Sequence, residues 1–534
     1  MKLKALSALA AVGLLAAASA STASADTIRV QSTTDTVDAG LVDGLLKPAY
    51  QAAQPGDTLS YVGVGTGAAL ANAQRGLADV VITHAPSLER QFTANGFSLE
   101  PEGGRAIFSS DYVIVGPASD PAGVGSGAPH DAISAFEKIA AAGAAGRASF
   151  VSRGDNSGTN VQEEVMWGDT GVTPKQPASN GAGDATRSEP GSGGTSPSWY
   201  VKTGAGQAAS LLRADACAAA EFPDGSCYTI VDRGTYDNQL NRGTIANLRI
   251  LSQDNAANAR GGADLLVNPF SAYIVSPAKV PGVNVAAARR FIDFLVSPRF
   301  QASVDTFPTA TDPAFHADAY PSVRLARSLS PSLSADATLP LTVTLANKVP
   351  GSPIVVGMPV TLQSSTNSGR SWKTVVANRK TDSRGVVRFS PKVKTTTSYR
   401  LSLPRFRATD WNQFSPNTQD LGTVAVAPPA VTKATLKPRA LLVTVSAPAT
   451  IRATVSKRTV TTVRRGGRAR KAVTWTKVRS ASKAAGRRGR VELKWKRALA
   501  PGAYRAELRL NDRFGHSRRQ TVSLSLKAGK AAAR

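Results

Sequence analysis

The stretch Ser152-Arg153-Gly154-Asp155-Asn156-Ser157-Gly158-Thr159-Asn160 decides how the first part of this chain is read. The apolar run Ala148 to Val151 before it predicts a strand, and Val161 to Trp167 after it predicts a helix. A helix start leaves backbone N–H groups unpaired and carries partial positive charge. Here it is joined by hydroxyls, by glycines that let N–H groups face outward, and by the forked, permanently charged Arg153. That donor set suits a small anion, because a buried dianion is costly unless nearly every oxygen is satisfied. Ser, Thr and Asn at helix starts are also ordinary caps, and Asn160 with Glu163 has the form of a capping box. Arg153-Gly154-Asp155 also spells a cell-adhesion tripeptide, a weak match at this length.

Two more junctions repeat the pattern. The first strand, "TIRVQS", runs into Gln31-Ser32-Thr33-Thr34-Asp35-Thr36. The second, "TLSYVGVG", ends in Gly65-Thr66-Gly67, which opens a helix. One such turn reads as a cap; three, one of them with an arginine, shift the reading toward an oxyanion site.

Strand and helix patterns alternate from Thr27 to about Pro321 and predict an α/β fold with a largely parallel sheet. A length of about 300 residues suits two lobes with a ligand between them, at the carboxyl ends of strands. Thr173 to Ser198, rich in Gly, Pro and Ser, reads as a peripheral surface insertion. "SLSPSLS", Ser328 to Ser334, marks a linker. Beyond it two sets of short strands fit two β-sandwiches of roughly a hundred residues each. They meet at "APPA", Ala427 to Ala430. The predicted domains are a signal peptide at 1–25, an oxyanion-binding domain at 26–325, and immunoglobulin-like sandwiches at 335–428 and 429–529.

Lys2 and Lys4, an apolar run from Ala5 to Ala18, and Ala23-Ser24-Ala25 form a secretory signal with cleavage expected after Ala25. No Cys follows that site to carry a lipid, and no later stretch is long and apolar enough to span a bilayer. The expected location is therefore extracytoplasmic, in a periplasm or cell wall. In that compartment the two cysteines, Cys217 and Cys227, are expected to pair across the loop "EFPDGS".

The net charge of +27 over 534 residues is unevenly spread. Residues 1–325 hold 23 Lys and Arg against 30 Asp and Glu, and residues 326–534 hold 41 against 7. An acidic module is thus joined to a strongly basic one, whose natural partner is a polyanion. The basic runs are Val463 to Lys471, Lys483 to Arg490 and Lys494 to Arg497. Nothing in them resembles a sequence-reading nucleic-acid motif. The tail is expected to hold the protein to an anionic envelope polymer.

Eight segments in register carry a family resemblance: "STTDTVDAGLVDGLL", "VGVGTGAAL", "ADVVITHAPSLE", "DYVIVGP", "FVSRGDNSGTN", "WYVKTGAGQAASL", "YTIVDRGTY" and "LLVNPFSAYIV". Over roughly Thr27 to Val323 the chain resembles the tungstate-binding proteins of tungstate ABC importers, a periplasmic-binding-protein-like family. The resemblance implies a two-lobed, hinge-closing receptor that delivers tungstate, or a molybdate-like oxyanion, to a membrane permease and ATPase. It implies ligands at Ser32, Thr33, Thr34 and Asp35, and at Ser152, Arg153, Gly158 and Thr159. Gly65, Thr66 and Gly67 match the family's GTG loop. It implies neither a cofactor nor a metal, and no catalysis.

Two departures matter. The family's first turn reads Thr-Thr-Thr-Ser where this chain has Ser32-Thr33-Thr34-Asp35, and its SGT-His ending is SGT-Asn here, at Asn160. A carboxylate brings no donor to a deprotonated dianion, yet it accepts a hydrogen bond from a protonated one such as hydrogen phosphate. The preferred reading turns Asp35 away to cap a helix starting near Asp38. This keeps a tungstate-like ligand first and a phosphate-type ligand second. An adhesion or matrix role for the basic sandwiches is a further alternative. A hydrolase is disfavoured: His84, His130, His316 and His516 show no metal-ligand spacing, and no nucleophile elbow is present. His84, which follows a strand, is placed where it could line the cleft, but the preferred reading is a structural histidine.

Overall fold

The computed structural model describes residues 26–527 apart from 182–183, 223–224, 310–311, 330–331, 348–353, 410–411 and 467. The expected signal peptide lies outside the described residues. The chain forms two compact units that divide between Ala317 and Asp318.

A ten-stranded sheet organises the first unit. Its strands are β1 (Thr27–Thr33), β2 (Thr58–Val64), β3 (Val80–Thr83), β4 (Arg105–Pro117), β5 (Ser149–Ser152), β6 (Tyr200–Lys202), β7 (Cys227–Asp232), β8 (Leu248–Ser252), β9 (Val267–Ile274) and β10 (His316–Ala317). The order is β2-β1-β3-β9-β4-β7-β5-β6, with β8 and β10 also on β4. The sheet is mixed, not largely parallel as expected. β1 runs parallel to β2 and β3, and β5 parallel to β6 and β7, but β4 and β9 run antiparallel to their neighbours.

The reason lies in β4. This 13-residue strand is almost wholly buried and long enough to serve two lobes. Its first half, Arg105 to Asp111, pairs with β9 in the first lobe, and its second half, Tyr112 to Val115, pairs with β7 in the second. Each lobe fills its own core. Leu70, Val81, Phe92 and Tyr273 pack in the first, and Phe136, Phe150, Trp167, Trp199 and Tyr228 in the second. Cys217 and Cys227 are bonded, with Cα atoms 5.6 Å apart. The loop they close is anchored by the fully buried Phe222.

The second unit holds two strand-rich bodies. In the first, Leu341–Ala346 and Val386–Phe389 lie in one sheet, and Pro359–Ser365, Thr397–Leu403 and Asn417–Ala427 in another. Alternate residues of both turn into one core that includes Val343, Phe389, Leu362, Leu401 and Val424. The second body repeats the plan with Leu441, Val443, Ile451, Leu493, Tyr504 and Leu508. The domain boundary differs from the expected 325/335. Ser322–Leu325 pairs with Leu341–Ala346 and Ser332–Ser334 pairs with Asn417–Ala427, so both segments are strands of the second unit. The Ser-rich composition of the presumed linker masked its period-two pattern.

Candidate functional site

The three anticipated junctions come together at the carboxyl ends of β1, β2 and β5. β1 leads into α1 (Thr34–Asp38), β2 into α2 (Thr66–Gln74) and β5 into α3 (Gly158–Asp169). Two junctions join them: α4 (Gln207–Ala216) after β6, and α5 (Arg233–Asn241), which is capped by Asp232 at the end of β7.

Asp35 sits at the centre. The helix begins at Thr34, not near Asp38, and this places Asp35 in its first turn with the carboxylate turned inward and fully buried. Arg153 Nη1 donates to Asp35 Oδ1 at 3.2 Å and Thr159 Oγ1 to Oδ2 at 3.3 Å. His84 Nε2 lies 3.5 Å from Oδ2. The expectation that Asp35 turns away to cap a helix is therefore corrected. The carboxylate that caps is Asp38, and it caps across the cleft: Asp38 Oδ2 accepts the N–H of Ala208, at the start of α4, at 2.8 Å.

Arg153 is only 2% exposed, which removes the cell-adhesion reading of its tripeptide. Its Nη1 also donates to Gln207 Oε1 at 2.5 Å and its Nη2 to Asp155 Oδ2 at 2.7 Å. Thr159 Oγ1 lies 2.9 Å from Gln207 Oε1. Among the described residues, the buried groups of this region without a hydrogen-bond partner include Thr33 Oγ1, Thr66 Oγ1 and Arg153 Nε, with His84 Nε2 and Asn160 Nδ2 beside them.

Other anticipated residues are placed differently. The Ser152 hydroxyl donates to Glu163 Oε2 at 2.8 Å, inside the second lobe, and so is engaged away from the cleft. Ser32 Oγ lies 3.4 Å from Thr36 Oγ1. Thr34 Oγ1 accepts the N–H of Gln207 at 3.4 Å, a long contact between lobes. The glycines serve close approach. Gly67 N–H donates to the carbonyl of Asn156 at 3.2 Å, and a Cβ on Gly67 would meet Asn156 Nδ2 at 2.6 Å. A Cβ on Gly65 would touch Ser157 at 3.4 Å, and one on Gly158 would run into the His84 ring at 2.4 Å. The expected capping box is replaced: Ser157 caps α3 through the N–H of Asn160, and Asn160 Oδ1 accepts the N–H of Asn156.

Residues 17–299 match the PBP superfamily domain. The chain belongs to the PBP superfamily. Among its relatives, a Haloferax volcanii protein named for anion binding by an ABC transporter is 34% identical over 280 residues, 52% of this chain and 68% of that one. The tungstate-binding protein TupA of Peptoclostridium acidaminophilum is 31% identical over 280 residues, covering 52% of this chain and 81% of that one. The tungstate-binding protein TupA of Desulfovibrio alaskensis G20, a solved structure, shares 31% identity over 55% of this chain and 99% of that one, with a TM-score of 0.39. By its identity to the Peptoclostridium protein over 81% of that chain, the PBP domain falls with the tungstate-binding proteins.

Of the floor of the PBP cleft, only His84 was anticipated, and only as the second of two readings. His84 was read as structural, yet it lies against Asp35. Its Nδ1 is 2.6 Å from Asn268 Oδ1 and 3.0 Å from the Tyr112 hydroxyl, and its ring stacks on Phe270. Burial pushes its pKa down from the ordinary histidine value. Asp232 accepts from Ser110 and from the N–H of Thr235, and burial, with the Asp35 charge beside it, pushes its carboxyl up to about 8. Gln207 and Asp232 each stand at a strand-to-helix junction, the same local feature that marks the first three.

The insertion at 173–198 is not peripheral. Arg187, fully buried, pairs with Glu164 Oε2 and donates to Asn156 Oδ1 at 2.9 Å. Asn180 Nδ2 donates to the carbonyl of Gly154 at 3.0 Å. The insertion therefore braces the 152–160 loop from behind.

Proposed function

We propose that the PBP domain is an extracytoplasmic receptor that captures tungstate or a similar tetrahedral oxyanion between its lobes and delivers it to an ABC-type permease and its ATPase. The observation that carries this reading is the set of buried donors without partners, Thr33 Oγ1, Thr66 Oγ1 and Arg153 Nε, gathered from both lobes where helix starts converge. The named relatives support the same ligand class. On this reading the protein binds and releases, with no covalent step, and its C-terminal bodies are immunoglobulin-like sandwiches.

A second reading rests on Asp35. A buried carboxylate among the donors repels a fully deprotonated dianion but accepts a hydrogen bond from an oxyanion that carries a proton. This favours a phosphate-type ligand. Calorimetric titration of the mature chain with tungstate, molybdate, sulfate and phosphate across pH separates the two. Tight tungstate binding that is insensitive to pH supports the first. Phosphate binding that falls as the pH rises supports the second. Silence with all four overturns both.

A further inference from the structure

The second body of the C-terminal unit carries a long hairpin. Ala449–Arg465 pairs with Arg468–Ala485 along its whole length, but the neighbouring strand Gly502–Asn511 pairs with Ala449–Arg465 only from Thr450 to Lys457. From Arg458 outward the two strands pair with each other. At a rise of about 3.3 Å per residue, those eight residues make an arm of about 26 Å beyond the sheet.

The arm and its base, residues 457–477, contain Lys457, Arg458, Arg464, Arg465, Arg468, Arg470, Lys471 and Lys477 and no Asp or Glu. The register sets the cations on both faces. Arg465 lies opposite Arg468, next to Arg470 on the same face, while Arg464 and Lys471 share the other. Like charges directly opposite across a ribbon are unfavourable unless a counter-anion lies among them. Val460, Val463 and Val473 are 46%, 48% and 45% exposed and divided between the two faces, so neither face is an apolar surface fit to enter a bilayer. Five of the eight cations are arginines, whose planar forks match pairs of phosphate oxygens.

We propose that this arm, Arg458 to Trp475, is a binding element for a soluble linear phosphate polymer. Cations on both faces and around the tip let such a chain run along or around the ribbon, and its charge relieves the Arg465–Arg468 repulsion. The proposal is independent of the oxyanion reading, since it uses none of the residues of the cleft.

The test uses the full mature chain and long-chain inorganic polyphosphate, with affinity measured across a salt series. In one variant Arg464, Arg465, Arg468 and Arg470 are changed to Gln. In a second, of equal net charge, the exposed Lys373, Lys394, Lys433 and Lys437 are changed to Gln instead. The arm variant is expected to lose at least about tenfold in affinity at low salt and to lower the salt slope by about 3, while the control stays near the parent. A third variant, with the four arm arginines changed to Lys, keeps the charge and tests the forks; it is expected to fall between. Equal losses in the first two variants would show diffuse attraction and overturn the proposal. So would a Lys variant that binds like the parent, or parent protein that binds vesicles rich in phosphatidylglycerol in preference to polyphosphate. Retention of the parent's near-ultraviolet signal, to which the chain's six tryptophans contribute, in each variant shows that the fold persists.

Discussion

Asp35 Oδ1 of the first lobe and Arg153 Nη1 of the second face each other at 3.2 Å across the cleft, both side chains almost completely buried. The guanidinium expected to receive an external anion thus already holds an internal one. Any oxyanion entering here shares Arg153 with Asp35 or displaces it. Asp35→Asn removes the charge and keeps the shape. If the ligand is a deprotonated dianion, the variant is expected to bind tungstate about tenfold tighter or more, a gain of about 1.4 kcal/mol or above. If the ligand carries a proton that Asp35 accepts, phosphate affinity falls by a similar factor. Calorimetry on parent and variant with both anions decides, and an unchanged affinity for each would remove Asp35 from ligand selection.

Glu163 gives the stability of the second lobe a pH dependence. It accepts from Ser152, from the Tyr200 hydroxyl at 2.7 Å and from Trp167 Nε1 at 3.2 Å, yet burial pushes its carboxyl up to about 8. A carboxyl raised in the fold stays protonated there while the unfolded chain has already released its proton. Its contribution is complete below the ordinary glutamate range near 4.5 and is lost as pH rises toward about 8. Asp232 is raised in the same sense. Urea midpoints are therefore expected to fall between pH 5 and 8, with Glu163 supplying a slope of up to about 1.4 kcal/mol per pH unit. Glu163→Gln should flatten the curve in that window. A variant with the parent's slope would assign the effect to other groups.

The sequence made the site's location legible but not its wiring. Hydroxyls, glycines and Arg153 at strand-to-helix junctions are local features, so they were found. Asp35 was misjudged because its direction depends on one boundary: starting α1 at Thr34 instead of near Asp38 rotates the carboxylate from solvent into the cleft. Ser152 looked like its neighbours, but Glu163, 11 residues on, takes its hydroxyl into the core. The part of β4 before Asp111 was hidden because Ser109, Ser110 and Asp111 interrupt its apolar run, although the strand continues through them from one lobe to the other. The two strand-rich bodies were visible from period-two alternation, whereas the strand at Ser332–Ser334 hid in a serine-rich stretch.

Arg187 makes the insertion structural. Its guanidinium pairs with Glu164, and burial raises the Glu164 carboxyl despite that partner. Arg187→Met leaves a carboxylate buried and unpaired, and is expected to cost about 3–5 kcal/mol. The double variant Arg187→Met with Glu164→Leu removes both charges and should recover most of that loss. Its oxyanion affinity should stay reduced, because Asn156 loses the Arg187 hydrogen bond that steadies the loop. Denaturant unfolding and calorimetry on the three proteins read both effects. A single variant as stable as the parent would return the insertion to the periphery.

Gly67 separates closure from folding. Its backbone is not in the left-handed region, so alanine is not strained there by itself. The obstacle is across the cleft, where a Cβ would stand 2.6 Å from Asn156 Nδ2 and 3.1 Å from the Asn156 carbonyl oxygen. That clash exists only when the lobes meet, and it also breaks the Gly67 N–H to Asn156 carbonyl bond. Gly67→Ala is therefore expected to leave ligand-free unfolding within about 0.5 kcal/mol of the parent. It should weaken oxyanion binding at least about tenfold, because the binding-competent closed state is less populated. Asn156→Gly in the same chain removes the side-chain part of the clash and should restore part of the affinity. If Gly67→Ala binds as tightly as the parent, the contact between the GTG loop and Asn156 plays no part in closing the lobes on a ligand.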